Sequence, residues 1–308
     1  MKEINIVNGP QNASAIVQGC MRMPALTKEE AAKSVQTAYD AGVNFFDHAT
    51  CYGNGEAEVR FAEALALTEI KREDIFIQSK CGIYPERGEF DWTKESILAS
   101  VDGILSRLHM DYLDTLLLHR PDLLFDPEEV AEAFDSLEKT GKVRWFGVSN
   151  LMPMQTELLK KYVKQPIIIN QLQFSLEQSQ LIDQALYLNN KTTDMSMNRD
   201  GSVLDYCRLH DVTVQAWSPL QIGMFGGTFI DNPDYSELNK VLTEIAEREN
   251  VSKAAVAVAW ILRHPAKMQA VIGTMNPVHI RETCEAANIE LSHNDWYRLY
   301  LASGKFLP

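Results

Sequence analysis

The chain has 308 residues, 45% hydrophobic, 23% charged and 9% aromatic, and 29 basic against 42 acidic side chains give it a formal net charge of −13. An acidic surface repels phosphate backbones and anionic lipid, which argues against nucleic acid or a membrane as the main partner and leaves a small ligand. The opening MKEINIVNGP lacks a signal-peptide core, no run nears the ~20 apolar residues of a membrane span, and the 5 scattered cysteines show no CxxC spacing, so a cytoplasmic protein with reduced thiols is expected.

Short apolar runs alternate with amphipathic stretches along the chain, the pattern of βα units. A first strand falls on AIVQGC (15–20). Thr27 and Glu30 form a capping box, and the helix they open runs to Gly42. The second strand is VNFFD (43–47), and a helix beginning near Glu56 separates it from a third, DIFIQSK (74–80). TKESILASVDGILSRL (93–108) repeats its apolar residues at helical spacing, and DTLLLH (114–119) is the fourth strand. Asp126, Pro127, Glu128 and Glu129 combine an N-cap, a first-turn proline and acids at the positive end of the helix dipole; that helix stops at Gly141. Four more strands follow in VRWFGVSN (143–150), PIIINQ (166–171), VTVQAW (212–217) and MQAVIG (268–273).

Eight βα units predict an α/β fold, a (β/α)8 TIM barrel forming a single domain over residues 1–308. NNKTTDMSMNRDG (189–201) and QIGMFGGTFIDNPDY (221–235) read as loop insertions. A doubly wound dinucleotide-binding sheet would need a GxGxxG turn after its first strand. GNGEAE (53–58) lacks the third glycine and follows a polar cluster instead, so it reads as a flexible turn only.

In such a barrel the C-terminal strand ends share one face, where active sites are built. The second strand ends at Asp47 with Tyr52 five residues on, the third at Lys80 and the fourth at His119. The fifth runs into Ser149 and Asn150, the sixth ends at Gln171, and the seventh at Trp217 and Ser218. Each residue alone has a plain structural reading: a helix cap, a solvated strand end, a hydrogen-bonded packing histidine. Together, an acid, a lysine and two proton-capable rings on consecutive strands suit carbonyl reduction. The Lys80 ammonium is expected to lower the pKa of Tyr52 from ~10, Asp47 to keep that lysine charged, and His119 to donate a hydrogen bond to the carbonyl. A Schiff-base lyase would use Lys80 as nucleophile, but Asp47 opposes this and Tyr52 is left idle. A metal hydrolase finds no HxH or HExxH.

The motifs GVNFFDHATCYGNGEAE, IQSKCG, DTLLLHRPD, GKVRWFGVSN and NQLQFS resemble those of the aldo-keto reductase family along essentially the whole chain. The resemblance implies a catalytic tetrad of Asp47, Tyr52, Lys80 and His119 with Tyr52 as proton donor. It implies reduction of small aldehydes and ketones, with NADP(H), or alternatively NAD(H), lying across the barrel mouth. By the same resemblance Ser149, Asn150 and Gln171 bond the carboxamide and Trp217 stacks on the nicotinamide. Ser218, Leu220 and Gly223 in WSPLQIGMF (217–225) contact the pyrophosphate, and Thr274, Asn276 and His279, with Arg281 as the other basic candidate, hold the adenosine phosphate. The chain departs from the family in having Gly273 and His279 where lysine and arginine are common, which predicts a weakened NADP(H) preference. His48 stands where small residues are commoner and reads as pocket wall or packing. A regulatory barrel that keeps the cofactor without turnover is the alternative function, and the tetrad argues against it. Substrate specificity falls to loops 81–92, 120–126 and 221–235.

Overall fold

The computed structural model describes residues 1–186, 202–222 and 226–306; the inferred loop 189–201 and Gly223 lie outside the described residues. Eight parallel strands close into a barrel: β1 (Ile16–Gly19), β2 (Phe45–Asp47), β3 (Phe76–Cys81), β4 (Leu113–Leu118), β5 (Val143–Ser149), β6 (Ile167–Gln173), β7 (Thr213–Trp217) and β8 (Gln269–Ile272). Each pairs with its neighbours in sequence, and β8 returns to β1. The expected TIM barrel is present. Strands covered by helices on one side and by the barrel interior on the other read as continuous apolar runs, and β4 is buried at every residue.

The helix-start chemistry is where the sequence predicts it. The Thr27 hydroxyl accepts from the Glu30 amide and the Glu30 carboxylate from the Thr27 amide, opening α1 (Lys28–Asp40). α2 (Glu56–Leu65) and α3 (Lys94–Leu108) follow, and Asp126 accepts from the Glu128 amide at the start of α4 (Pro127–Lys139). Phe134 of α4 stacks on Phe146 of β5 with centroids 4.1 Å apart, both rings buried; burying such a ring contributes about 1.5–3 kcal/mol. α5 (Pro153–Lys160), α6 (Gln180–Leu186) and α7 (Val203–Leu209) precede β7; α8 (Ser236–Glu249) and α9 (Lys253–Leu262) precede β8; α10 (Pro277–Cys284) and α11 (His293–Ala302) end the described chain. Among the described residues no helix is long and apolar enough to cross a membrane.

Two antiparallel hairpins were not expected, because strands of two residues carry no periodicity. Glu3–Ile4 pairs with Ala13–Ser14 across the N-terminal end of the barrel, where the Ser14 amide bonds Asn44 just before β2. Ile83–Tyr84 pairs with Glu89–Phe90 inside the loop after β3. The barrel register sets Asp47 opposite Gln78, and Gln171 opposite Gln215, which is opposite Gln269. That alignment assembles a polar layer inside the barrel.

Candidate active site

β2 delivers Asp47, and the chain then turns sharply to bring Tyr52 back over the barrel mouth. Gly53, Asn54 and Gly55 all take positive φ, a conformation that favours glycine and asparagine. A Cβ at Gly55 would also meet Arg107 at 2.6 Å, and that guanidinium is held 2.7 Å from the buried Glu58 carboxylate. GNG is thus a braced left-handed turn rather than the flexible turn expected.

The tetrad residues converge. Lys80, fully buried on β3, donates to Asp47 Oδ2 at 2.7 Å, to the His48 carbonyl at 2.9 Å and to the Tyr52 hydroxyl at 3.1 Å. Those acceptors use all three ammonium protons. Burial alone would pull the Lys80 pKa down, but the Asp47 charge and the Tyr52 oxygen outweigh it and hold it above its ordinary value. His119, half-buried at the end of β4, meets Tyr52 edge-on with ring centroids 5.9 Å apart, and its Nδ1 lies 3.6 Å from the Cys51 thiol. Burial, then Lys80 and Arg120, hold its pKa well below the usual histidine range, so the ring is neutral near pH 7.

One expectation fails. The pKa of Tyr52 is pushed up to about 12: burial outweighs the lowering by Lys80, and Asp47 adds to the rise. The phenol is firmly protonated.

Asp47 is held on its other oxygen by glutamines. Gln78 donates to Oδ1 at 2.6 Å and Gln171 at 3.1 Å. Both amides also donate to Gln215 Oε1, at 2.9 and 3.1 Å, Gln215 donates to Gln269 at 2.9 Å, and Gln269 to the Ser14 carbonyl at 2.7 Å. A hydrogen-bonded chain therefore runs the length of the barrel interior. Gln171 spends its amide protons here.

A cavity of about 800 Å³ opens over the tetrad, a volume typical of ligand sites. Asp47, Tyr52 and His119 line it at one part, and so do Ser149, Asn150, Gln171, Trp217, Ser218, Leu220, Thr274 and His279. Asn150 donates to the Ser149 hydroxyl at 2.8 Å and accepts from the Trp217 indole at 3.3 Å, which fixes that wall. Lys80 sits behind Tyr52, outside the lining. Asn276 is outside it too, because its side chain caps α10 by accepting from the Val278 amide at 2.9 Å. Arg281 is exposed and does not line the cavity. His48 packs edge-on against Phe61, fully buried, with its pKa driven down to about 3 by burial and by Lys80. It is packing, not pocket wall.

Several lining residues escaped the sequence reading: Arg22, Arg120, Asp231 and Lys253. Lys253 follows Ser252, the N-cap of α9, and is ion-paired with Asp231. A lysine in a helix's first turn opposes the dipole, and that misfit was the available signal. Arg22 donates to the Gly273 carbonyl at 2.9 Å, a contact with no local signature. Among the described residues no cluster of His, Cys, Asp and Glu could hold a metal ion.

A model described as the Aldo/keto reductase family matches residues 15–300. The chain is 34% identical over 301 residues to the uncharacterized oxidoreductase YcsN of Bacillus subtilis, covering 94% of each chain. It is 34% identical over 280 residues to a 6-dehydroglucose reductase of Agrobacterium fabrum, covering 88% of this chain and 87% of that one. The crystal structure of an aldo-keto reductase from Klebsiella pneumoniae in complex with NADPH aligns with a TM-score of 0.76 at 25% identity, over 97% of this chain and 94% of that one.

Proposed function

The chain belongs to the aldo/keto reductase family, and on that premise we propose that it is an NADP(H)-dependent reductase of aldehydes or ketones, one domain over residues 1–308, with Tyr52 as proton donor. The observation that carries the reading is the Lys80 ammonium, saturated by Asp47, the His48 carbonyl and the Tyr52 hydroxyl, with Tyr52 left facing the cavity. The cavity fits a dinucleotide in its donor set: Ser149 and Asn150 near the tetrad, and Thr274, His279, Lys253 and Arg22 for phosphate oxygens. NADPH supplies the hydride when bound.

The protein's own groups do the rest. Tyr52, neutral at physiological pH, donates its hydroxyl to the carbonyl oxygen and gives up the proton as negative charge develops there. Lys80 stabilises the phenolate left behind at 3.1 Å, in a buried site where that attraction is strong. Asp47 holds Lys80 charged and aimed. If the Cys51 thiol donates to His119 Nδ1, the ring proton sits on Nε2, the tautomer that can donate to the same carbonyl oxygen. The test is consumption of NADPH with a panel of simple aldehydes and ketones, with deuterated NADPH to show label in the alcohol. No label transfer to any of them would defeat the reading.

A further inference from the structure

Arg120 follows His119 at the end of β4 and lines the same cavity, half-buried, 5.8 Å from the Trp217 ring centroid. Among the described residues the other half-buried arginines each hold a carboxylate: Arg60 that of Glu63, Arg72 that of Asp114, Arg107 that of Glu58 and Arg298 that of Glu244. Among the described residues Arg120 has no hydrogen-bond partner and no ion-pair partner. The nearest acid along the chain, Asp122, is committed to the Trp92 and Leu124 amides at 3.0 and 2.8 Å. Burial lowers the pKa of Arg120 with no acid to offset it.

A partly desolvated guanidinium without a counter-charge is costly, and a chain with 42 acidic residues has acids enough to pair it. Its planar fork matches a carboxylate in bidentate geometry. Lys80, the cation behind Tyr52, is already neutralised by Asp47 at 2.7 Å, so Arg120 is the charge beside His119 left to take an anionic group. Arg120 and His119 line the same cavity, and the guanidinium is near enough to help lower the His119 pKa, so a group held by Arg120 and a carbonyl held by His119 fit within one short molecule.

We propose that Arg120 receives a substrate carboxylate, so that the preferred substrates are short oxo acids whose aldehyde or ketone lies a few carbons from the acid. The assignment rests on the reductase reading, and the experiment separates the two. Succinic semialdehyde and its methyl ester are compared as substrates with NADPH, for the wild type, Arg120→Gln and Arg120→Lys. The kcat/KM of the acid should exceed that of the ester by about 10- to 100-fold, the worth of a hydrogen-bonded charge. Arg120→Gln should bring that ratio close to one, mainly through KM of the acid, and Arg120→Lys should keep part of it. The ratio is internal to each preparation, so a change in folded fraction cancels.

Binding of butyrate and of butyramide to the NADP-loaded enzyme by calorimetry supplies a readout without turnover. Butyrate should bind more tightly, and Arg120→Gln should remove the difference. Equal kcat/KM for acid and ester in the wild type, or a preference that survives in Arg120→Gln, overturns the assignment while ester turnover leaves the reductase reading standing. Arg120-dependent butyrate binding with neither aldehyde reduced keeps the anion site and removes the reductase reading.

Discussion

Lys80 and Asp47 lie 2.7 Å apart, with side chains 0% and 2% exposed. Two charges so deep in a barrel stand only because each has its full complement of partners. Breaking such a pair leaves an uncompensated buried charge, which costs about 3–5 kcal/mol. Lys80→Met should lower stability by that amount in urea denaturation and abolish most turnover. Lys80→Met combined with Asp47→Asn should recover much of the stability and none of the turnover. A single variant as stable as the wild type would mean that the pair is not ionised.

Tyr52→Phe keeps the ring and removes the hydroxyl. Carbonyl reduction per folded molecule should fall by at least ~10²-fold, the usual cost of a lost general acid, with NADPH affinity nearly unchanged and the melting temperature modestly lowered, because Lys80 loses one of its three acceptors. A structural polar rim would lower the melting temperature and leave turnover per folded molecule preserved. Measuring the three quantities on one preparation separates the alternatives.

The pH behaviour follows from groups held neutral. With Tyr52 up at about 12, the acid stays loaded through neutral pH, so the reduction rate should decline only as pH climbs toward that value. Stability behaves differently. His48 has a folded-state value of about 3, below its unfolded ~6.5, so the unfolded chain takes up the proton first as pH falls. The stability that neutral His48 supplies is complete above ~6.5 and drains away toward about 3, by up to about 1.4 kcal/mol per pH unit. His48→Phe should flatten the melting temperature measured across that window; an unchanged slope would show that His48 is not the group responsible.

Gln215 touches no catalytic atom yet accepts from both glutamines that hold Asp47, at 2.9 and 3.1 Å. Gln215→Leu should free those amides to rotate and lower kcat by about tenfold, the size of one lost charge-assisted hydrogen bond, with KM and cofactor affinity unmoved. A rise in KM alone would point to a distorted cavity instead.

At the phosphate end, NADPH should bind more tightly than NADH, though by less than a site with paired lysine and arginine after β8 would give. Lys253→Ala should weaken NADPH by about tenfold and NADH less, in a fluorescence titration. Equal losses for both cofactors would place Lys253 away from the 2′-phosphate.

The barrel, and the four residues that meet at its mouth, were legible because their signals are local. Thr27 with Glu30 and Asp126 with Pro127 mark helix starts by chemistry within one turn, and Asp47, Lys80 and His119 each end an apolar run. What stayed hidden depends on partners far away in sequence. Gln78 stands beside Ser79 and Lys80 in β3, Gln215 lies between Val214 and Ala216 in β7, and Gln269 opens β8, and only the closed register brings the three together. The Tyr52 pKa went the wrong way for the same reason: the sequence shows the ammonium, not how little water surrounds the phenol. Arg120 was visible as a letter of DTLLLHRPD, but its lack of a counter-charge is a property of the folded surroundings.

The link from Gln269 to the Ser14 carbonyl at 2.7 Å makes the two ends of the barrel one electrostatic object. Trimming the first fourteen residues, or fusing a bulky tag that pulls the Glu3–Ile4 and Ala13–Ser14 hairpin aside, would take the terminal acceptor from a chain of amides whose other end orients Asp47. Purification tags are then best carried at the opposite terminus, and an N-terminal truncation that keeps its fold can still be a slow enzyme.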